Sequence, residues 1–229
     1  MGSSALSDVL GATKAVLFDF DGPICDVFAG HPAPDIARHL AAILASFDRS
    51  LEGDAYATDD PMEVLRLAPQ AGEKALQAIE DELSQAEVSA VRSAGQPVAG
   101  AVAALEAART SDRKIAIVSN NSAACVHAFL QLHDLQHLVD AVVGRAPYRP
   151  KAMKPAPDSL LRASSELATP LRACTMIGDS VTDVEVARAT GGRAIGFANR
   201  TGKERALAAA GADVVVTTMM AVAEALRPS

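Results

Sequence analysis

Seven polar residues in four short runs carry the chemistry open to this sequence: Asp19 and Asp21 in FDFDG, Ser119 and Asn120 in VSNN, Lys154 in MKPAPD, and Asp179 and Asp183 in GDSVTD. Two aspartates one residue apart after an apolar run repel each other unless a cation lies between them or one of them holds a proton. Four carboxylates and one lysine are poor core material, since unpaired buried charge costs several kcal/mol. They suit a hard cation bound through oxygen. Magnesium takes one or two protein carboxylates and fills its shell with water and phosphate oxygens, so the donor set points to Mg2+ with a phosphate attached.

Residues so far apart in sequence must be brought together by the fold. The apolar runs at 14–20, 114–120, 173–179 and 212–218 end in polar or small residues, and weaker runs begin at Asp140 and Arg193. Between them, segments such as VAGAVAALEAAR, SAACVHAFLQL, DSLLRASSEL and VTDVEVARA repeat apolar residues at three- and four-residue spacing, as helices do. Strand then helix, repeated, predicts an α/β fold with a doubly wound, Rossmann-like parallel sheet. The continuous apolar strands fit a sheet covered by helices on both faces. Ligands of such sheets bind at the carboxyl ends of the strands, where the acids lie.

The alternation breaks between about Asp26 and Ala94, where PDIARHLAAILASF, PMEVLRLA and AGEKALQAIEDELSQAEVSAVR are helical with no strand between them. A small all-helical cap inserted after the first strand is expected, with residues 26–94 as the cap and 1–25 plus 95–229 as the core. In the segment 71–92, Leu76, Ile79, Leu83 and Val88 form an apolar stripe, so one face packs and the charged face is wet. Glu52, Gly53 and Asp54 fall in an expected cap loop that touches a substrate hydroxyl or only solvent. Arg38, Arg66 and Lys74 face an anionic substrate or the surface.

Composition bounds the partners. The chain has 229 residues, 49% hydrophobic and 21% charged, with a net charge of −7, which argues against the broad basic face that nucleic acid needs. Cys25, Cys125 and Cys174 are odd in number and show no CxxC spacing, so neither a disulfide framework nor a zinc ribbon is expected, and a reducing cytoplasm is the default. No apolar run reaches the roughly 20 residues that span a bilayer, and MGSSALSDVL lacks the basic and apolar regions of a leader. No membrane partner is expected. Monomer and homodimer both stay open.

The four runs, in this order and at strand ends, resemble the motifs of the haloacid dehalogenase superfamily of phosphohydrolases, and the helical insertion is similar to that family's first type of cap. The resemblance spans nearly the whole chain and implies roles by position. Asp19 is the nucleophile that becomes an aspartyl phosphate; Asp21 is the general acid and then the base. Ser119 and the backbone N–H of Asn120 hold the phosphoryl oxygens, together with Lys154, which also neutralises the nucleophile. Asp19, the backbone carbonyl of Asp21, and Asp179 bind Mg2+, with Asp183 as a further metal contact or a support behind it. Dehalogenases of the superfamily lack an acid at the position of Asp21, so phosphate chemistry is favoured over halide. Pro23, Ile24 and Cys25 depart from the Thr or Val, then Leu, of many relatives.

The implied function is a Mg2+-dependent phosphatase acting on a small phosphorylated metabolite. A phosphomutase of the β-phosphoglucomutase kind uses the same residues, and a module that only binds phosphate or a partner is the third reading. The physics sets the demands. A carboxylate about 4 Å from a phosphate dianion meets roughly 8 kcal/mol of repulsion at an effective dielectric near 20. A proton on Asp21 near pH 7 needs its pKa raised by about three, or roughly 4 kcal/mol.

Other readings compete at several residues. Ser119 also reads as the N-cap of the helix starting near Ser122, and Asp183 as a first-turn acid. GFANRTGKE tempts a nucleotide-loop reading, but five residues separate Gly196 from Gly202 where four are needed, and Glu204 follows Lys203 where Ser or Thr is required. His133 and His137 stand four apart with no third ligand near, which favours a solvated helix end over zinc. Cys25 reads as a small inert apolar residue.

Overall fold

The computed structural model describes residues 2–227. Six strands, β1 (Ala15–Phe18), β2 (Lys114–Val118), β3 (Ala141–Val143), β4 (Cys174–Gly178), β5 (Arg193–Phe197) and β6 (Val214–Val216), form one parallel sheet in the order β3-β2-β1-β4-β5-β6. Every run read as a strand from sequence is one. The chain builds outward from β1 on one side, then restarts at β4 on the other, so the switch point lies between the strands that carry Asp19 and Asp179. Phe18 is in register with both Ile117 and Ile177, which brings the ends of β2 and β4 level with that of β1.

Alternate residues of a strand face opposite ways. Val16 and Phe18 therefore join one apolar cluster and Ala15 and Leu17 the other. The first cluster is covered by α1 (Gly2–Gly11) and by helices toward the chain's middle and end. The insertion follows as α2 (Ala33–Phe47), α3 (Glu52–Tyr56), α4 (Pro61–Leu67) and α5 (Glu73–Val91). Then come α6 (Ala101–Thr110), α7 (Ala123–Leu132), α8 (Asp158–Glu166), α9 (Val181–Ala189), α10 (Lys203–Ala209) and α11 (Met219–Leu226). α6, α7 and α11 share the face of α1, while α8, α9 and α10 cover the other. Each fully buried Leu, Ile or Phe on these faces contributes about 1.5–3 kcal/mol.

Three findings go beyond or against the sequence reading. The N-terminal segment, read only for leader signals, is a helix that buries Leu6, Val9 and Leu10, an i, i+3, i+4 set. Glu52, Gly53 and Asp54 lie in the short helix α3 and not in a loop; the buried neighbours Leu51 and Ala55 pin it, and those three residues stay exposed. Along α5 the buried face includes Ile79 and Leu83 as expected, but also Glu80 and Glu87, which the expected wet face should have held.

Helix α5 belongs to two cores. Its first half, through Ala75, Ile79 and Leu83, packs in the cluster formed by α2, α3 and α4, while Ala90 and Val91 pack in the cluster under the sheet. Met153, from the loop before α8, inserts into the helical cluster from the other side.

Candidate active site

Asp19 follows β1 and continues its pairing, its N–H donating to Ile177 O at 2.8 Å. The chain then turns, as the spacing of Asp19 and Asp21 demanded: Ile24 and Cys25 N–H groups both donate to Phe20 O, and Gly22 N–H donates to Cys25 O at 2.7 Å. Gly22 sits at φ +110°, and a Cβ there would fall 2.4 Å from the carboxyl carbon of Asp179. Only glycine lets the turn and the β4 acid approach so closely.

Lys154 is buried and joins three elements. Its Nζ donates to Asp19 Oδ1 at 2.8 Å, to Asp183 Oδ1 at 2.6 Å and to Val118 O at 3.1 Å. Burial works against the ammonium charge, but Asp183 and Asp19 outweigh it and its pKa is raised. Asp19 Oδ1 also accepts the Phe20 N–H at 2.8 Å, whereas Oδ2 takes no hydrogen bond among the described residues. Burial, with Asp183 beside it, pushes the Asp19 pKa well above the usual carboxylate range despite Lys154. Asp183 is fixed at both oxygens: Oδ1 by Lys154, Oδ2 by Ser180 N–H at 3.1 Å and Ser180 Oγ at 2.6 Å, closing a capping box at the start of α9. Asp183 is thus a first-turn acid, and its place beside Lys154 is compatible with the site reading.

Asp19, Asp179 and Asp183 each offer an oxygen within 4.8 Å of the others. This donor set fits a divalent cation, and the backbone carbonyl of Asp21 is also without a hydrogen bond among the described residues. Asp21 itself is partly buried, its Oδ1 accepting Val27 N–H at 3.0 Å. Burial, then the charges of Asp179 and Asp26, outweigh that bond and raise its pKa to about 6.

The loop after β2 supplies N–H groups. Ser119 Oγ accepts Asn121 N–H at 3.0 Å and donates to Asn121 Oδ1 at 3.1 Å, and Ser122 N–H donates to Glu87 Oε2 at 2.8 Å. Asn120 N–H is left without a partner among the described residues. Ser122, not Ser119, caps α7, so the capping alternative for Ser119 does not hold. Asn120 instead pins the lysine loop, its Oδ1 accepting Lys154 N–H at 2.8 Å and its Nδ2 donating to Lys154 O at 3.3 Å.

Asp19, Asp21, Ser119, Asn120, Lys154 and Asp179 line a cleft of about 280 Å³ that also takes in Phe28 and, from α4 and its cap residue, Asp60, Met62, Glu63 and Arg66, while Asp183 lies behind it. Of the three basic residues considered in the insertion, Arg66 reaches the cleft, donating to Lys154 O at 3.1 Å and pairing with Glu63 at 3.1 Å. Arg38 pairs with Asp35 on the surface and Lys74 is exposed. His133 packs against Phe129 with its ring tilted by 51° and His137 is exposed, so they form no ligand pair. Cys25 is fully buried, and burial pushes its thiol pKa up, which fits its reading as inert.

Sequence reasoning missed residues at both margins. Asn199 Nδ2 donates to Asp179 Oδ2 at 2.9 Å and Lys203 Nζ bonds the same oxygen, so the segment dismissed as a nucleotide loop borders the site. It follows β5, and the rule that ligands gather at strand ends pointed there. Arg145, after β3, and Glu87 on α5 sit behind the loop at 119–122 and carried no motif.

A doubly wound sheet with acids at its switch point defines an α/β protein with a candidate cation site and a helical insertion after β1. The family model of haloacid dehalogenase-like hydrolases matches residues 13–191, and the chain belongs to that family. Comparison with curated protein sequences finds no match. Solved structures share the fold. The predicted phosphoglycolate phosphatase of Haemophilus somnus 129PT is 16% identical, with TM-score 0.65 over 93% of this chain and 97% of that one. A family hydrolase from Deinococcus radiodurans R1, with bound phosphate and sodium, is 24% identical, with TM-score 0.60 over 95% and 99%. A mutant of CbbY from Rhodobacter sphaeroides, in complex with xylulose 1,5-bisphosphate, is 18% identical, with TM-score 0.65 over 91% and 95%.

Proposed function

We propose that the protein is a Mg2+-dependent phosphatase that hydrolyses a small phosphorylated metabolite through an aspartyl phosphate on Asp19. The observation that carries this reading is the asymmetry of Asp19: Oδ1 is held by Lys154 and Phe20 N–H, while Oδ2 has no hydrogen bond among the described residues and the residue lines the cleft. The free oxygen attacks phosphorus. As the bond to the leaving oxygen breaks, Asp21 gives that oxygen its proton; Asp21 then takes a proton from the water that attacks phosphorus and frees Asp19. A pKa of about 6 leaves about one Asp21 in ten protonated at pH 7, nearer to the task than an ordinary carboxyl.

Ser119 Oγ, Asn120 N–H and Lys154 hold the phosphoryl oxygens. Asp19, Asp179 and the carbonyl of Asp21 hold Mg2+, which when bound offsets the repulsion between anionic nucleophile and phosphate. Asp183, with both oxygens engaged, aims Lys154 at Asp19. Residues 26–94 act as a cap over the core formed by 1–25 and 95–229, and closure excludes bulk water. The cleft of about 280 Å³ adjoins a second of about 490 Å³ that shares Asp21, Phe28 and Asp179, which together have room for a small phosphorylated metabolite.

The test is turnover of p-nitrophenyl phosphate by wild type and Asp19→Asn, each with Mg2+ and with EDTA. Loss of at least about 10³-fold in the variant, and loss on chelation, is expected. Equal turnover by the variant defeats the nucleophile assignment.

A further inference from the structure

The loop that holds Ser119 and Asn120 is braced from the insertion and not from the sheet alone. Glu87, fully buried on α5, accepts Ser122 N–H on Oε2 at 2.8 Å and Asn121 Nδ2 on Oε1 at 3.2 Å. Arg145 completes the brace from the other side. Its Nη1 donates to Glu87 Oε1 at 2.8 Å and to Asn120 O at 2.8 Å, and its Nε donates to Glu80 Oε1 at 2.8 Å. Burial disfavours the guanidinium charge, but Glu87 and Glu80 outweigh it. Three consecutive residues of the loop are therefore fixed by two side chains that reach neither the cleft nor the reacting atoms.

We infer that Glu87 and Arg145 are positioning residues, through which helix α5 sets the conformation of the phosphate-binding loop 119–122. The inference rests on the phosphatase reading for its functional consequence. With Ser122 N–H committed to Glu87 and Asn121 N–H to Ser119, the brace leaves Asn120 N–H as the loop's free donor. It also ties the loop to a helix whose other half belongs to the helical cluster, so a movement of α5 reaches the phosphate site directly.

Glu80 supplies the control. It bonds Arg145 and, at 3.4 Å, Ser84, but no residue of the loop, and its Oε2 is buried without a partner among the described residues. Glu80→Gln removes one charge from the network and can point its amide N–H group where no donor faces it. Glu87→Gln removes one charge too, but its amide N–H must confront Ser122 N–H or the donors of Arg145 and Asn121. A merely structural role predicts similar behaviour from the two variants; a positioning role separates them.

The experiment compares both variants with wild type, after circular dichroism shows them folded, by inorganic phosphate binding in the presence of Mg2+ and by amide hydrogen exchange at Asn121 and Ser122. Glu87→Gln is expected to weaken phosphate binding about tenfold or more and to speed exchange of the Ser122 amide about tenfold, as loss of a charged hydrogen bond implies. Glu80→Gln is expected to change each by less than about threefold. Indistinguishable variants overturn the inference, as does a Glu87→Gln protein that fails to fold while Glu80→Gln is unaffected in exchange and binding. A wild type that binds no phosphate overturns the phosphatase reading instead, and the exchange measurement still decides whether Glu87 sets the loop.

Discussion

Two buried ion clusters, each with one cation between two carboxylates, stand on either side of the loop 119–122, and they are built to opposite ends. Around Arg145, Glu87 is closed by fixed donors: a guanidinium, a backbone N–H and an amide. Around Lys154, Asp19 keeps one oxygen unbonded, a third acid approaches within 4.8 Å, and the Asp19 pKa is driven up, above all by burial and by Asp183. The first cluster is closed: Glu80 keeps one buried oxygen without a partner among the described residues, but it does not line the cleft. The second gathers Asp19, Asp179 and Asp183 within reach of one another, with Lys154 on Asp19 and Asp183 and Lys203 on Asp179, and opens on a cleft, an arrangement suited to a divalent cation.

Removing the central cation from each cluster tests that contrast most strongly. Lys154→Met and Arg145→Met should each lower metal-free stability by about 3–5 kcal/mol, the usual cost of leaving a buried charge unpaired. Magnesium should then separate them. In urea unfolding followed with and without Mg2+, Lys154→Met should gain more from the ion than wild type does, because the ion can serve the carboxylates that the lysine left. Arg145→Met should gain no more than wild type. Equal magnesium responses would show that the two clusters do not differ as described.

A smaller effect should come from Asp21, whose pKa of about 6 lies above the ordinary 3.8. A carboxyl with a raised folded-state pKa binds its proton more tightly in the folded state. Its contribution to stability is present below pH 3.8 and is lost as pH rises through 6. The interval corresponds to about 3 kcal/mol at most. Wild type without metal should therefore lose ground to Asp21→Asn between pH 4 and pH 7 by up to that amount, measured as the difference in unfolding free energy. The same group as general acid predicts that turnover falls as pH rises above about 6 in wild type. A pH-independent difference between the two proteins would remove the basis for assigning Asp21 the proton.

How much of this was legible in the sequence follows from the kind of signal each part leaves. All six strands and the parallel sheet could be read because buried strands are continuous apolar runs. The seven candidate residues stand out in short polar runs, six of them after β1, β2 and β4, and the fold gathers them with Lys154, from the loop before α8, at one end of the sheet. Glu80, Glu87 and Arg145 could not. On a helical wheel a buried glutamate looks like a solvated one, and its partner lies after β3, 58 residues away from Glu87. Asn199 and Lys203 were legible from their place after β5, although GFANRTGKE has no nucleotide-loop spacing to mark them. Residues that act by pairing across the fold leave no local pattern; only the ends of the sheet told where to look.

The smallest effect separates backbone strain from site geometry. Gly22 and Gly72 both have positive φ, +110° and +96°, but a Cβ at Gly22 would meet Asp179 at 2.4 Å while one at Gly72 meets nothing within 4 Å. Alanine at either position should cost about 1–3 kcal/mol through the strained backbone alone. Only at Gly22 must the new methyl displace the Asp179 carboxylate, so Gly22→Ala should also weaken magnesium binding several-fold by titration calorimetry, and Gly72→Ala should leave it unchanged. If both variants bind magnesium like wild type, Asp179 either gives way without loss or is not a ligand. The open cluster would then have to be completed by Asp19 and the carbonyl of Asp21 with Asp183, against the hydrogen bonds that already hold both Asp183 oxygens.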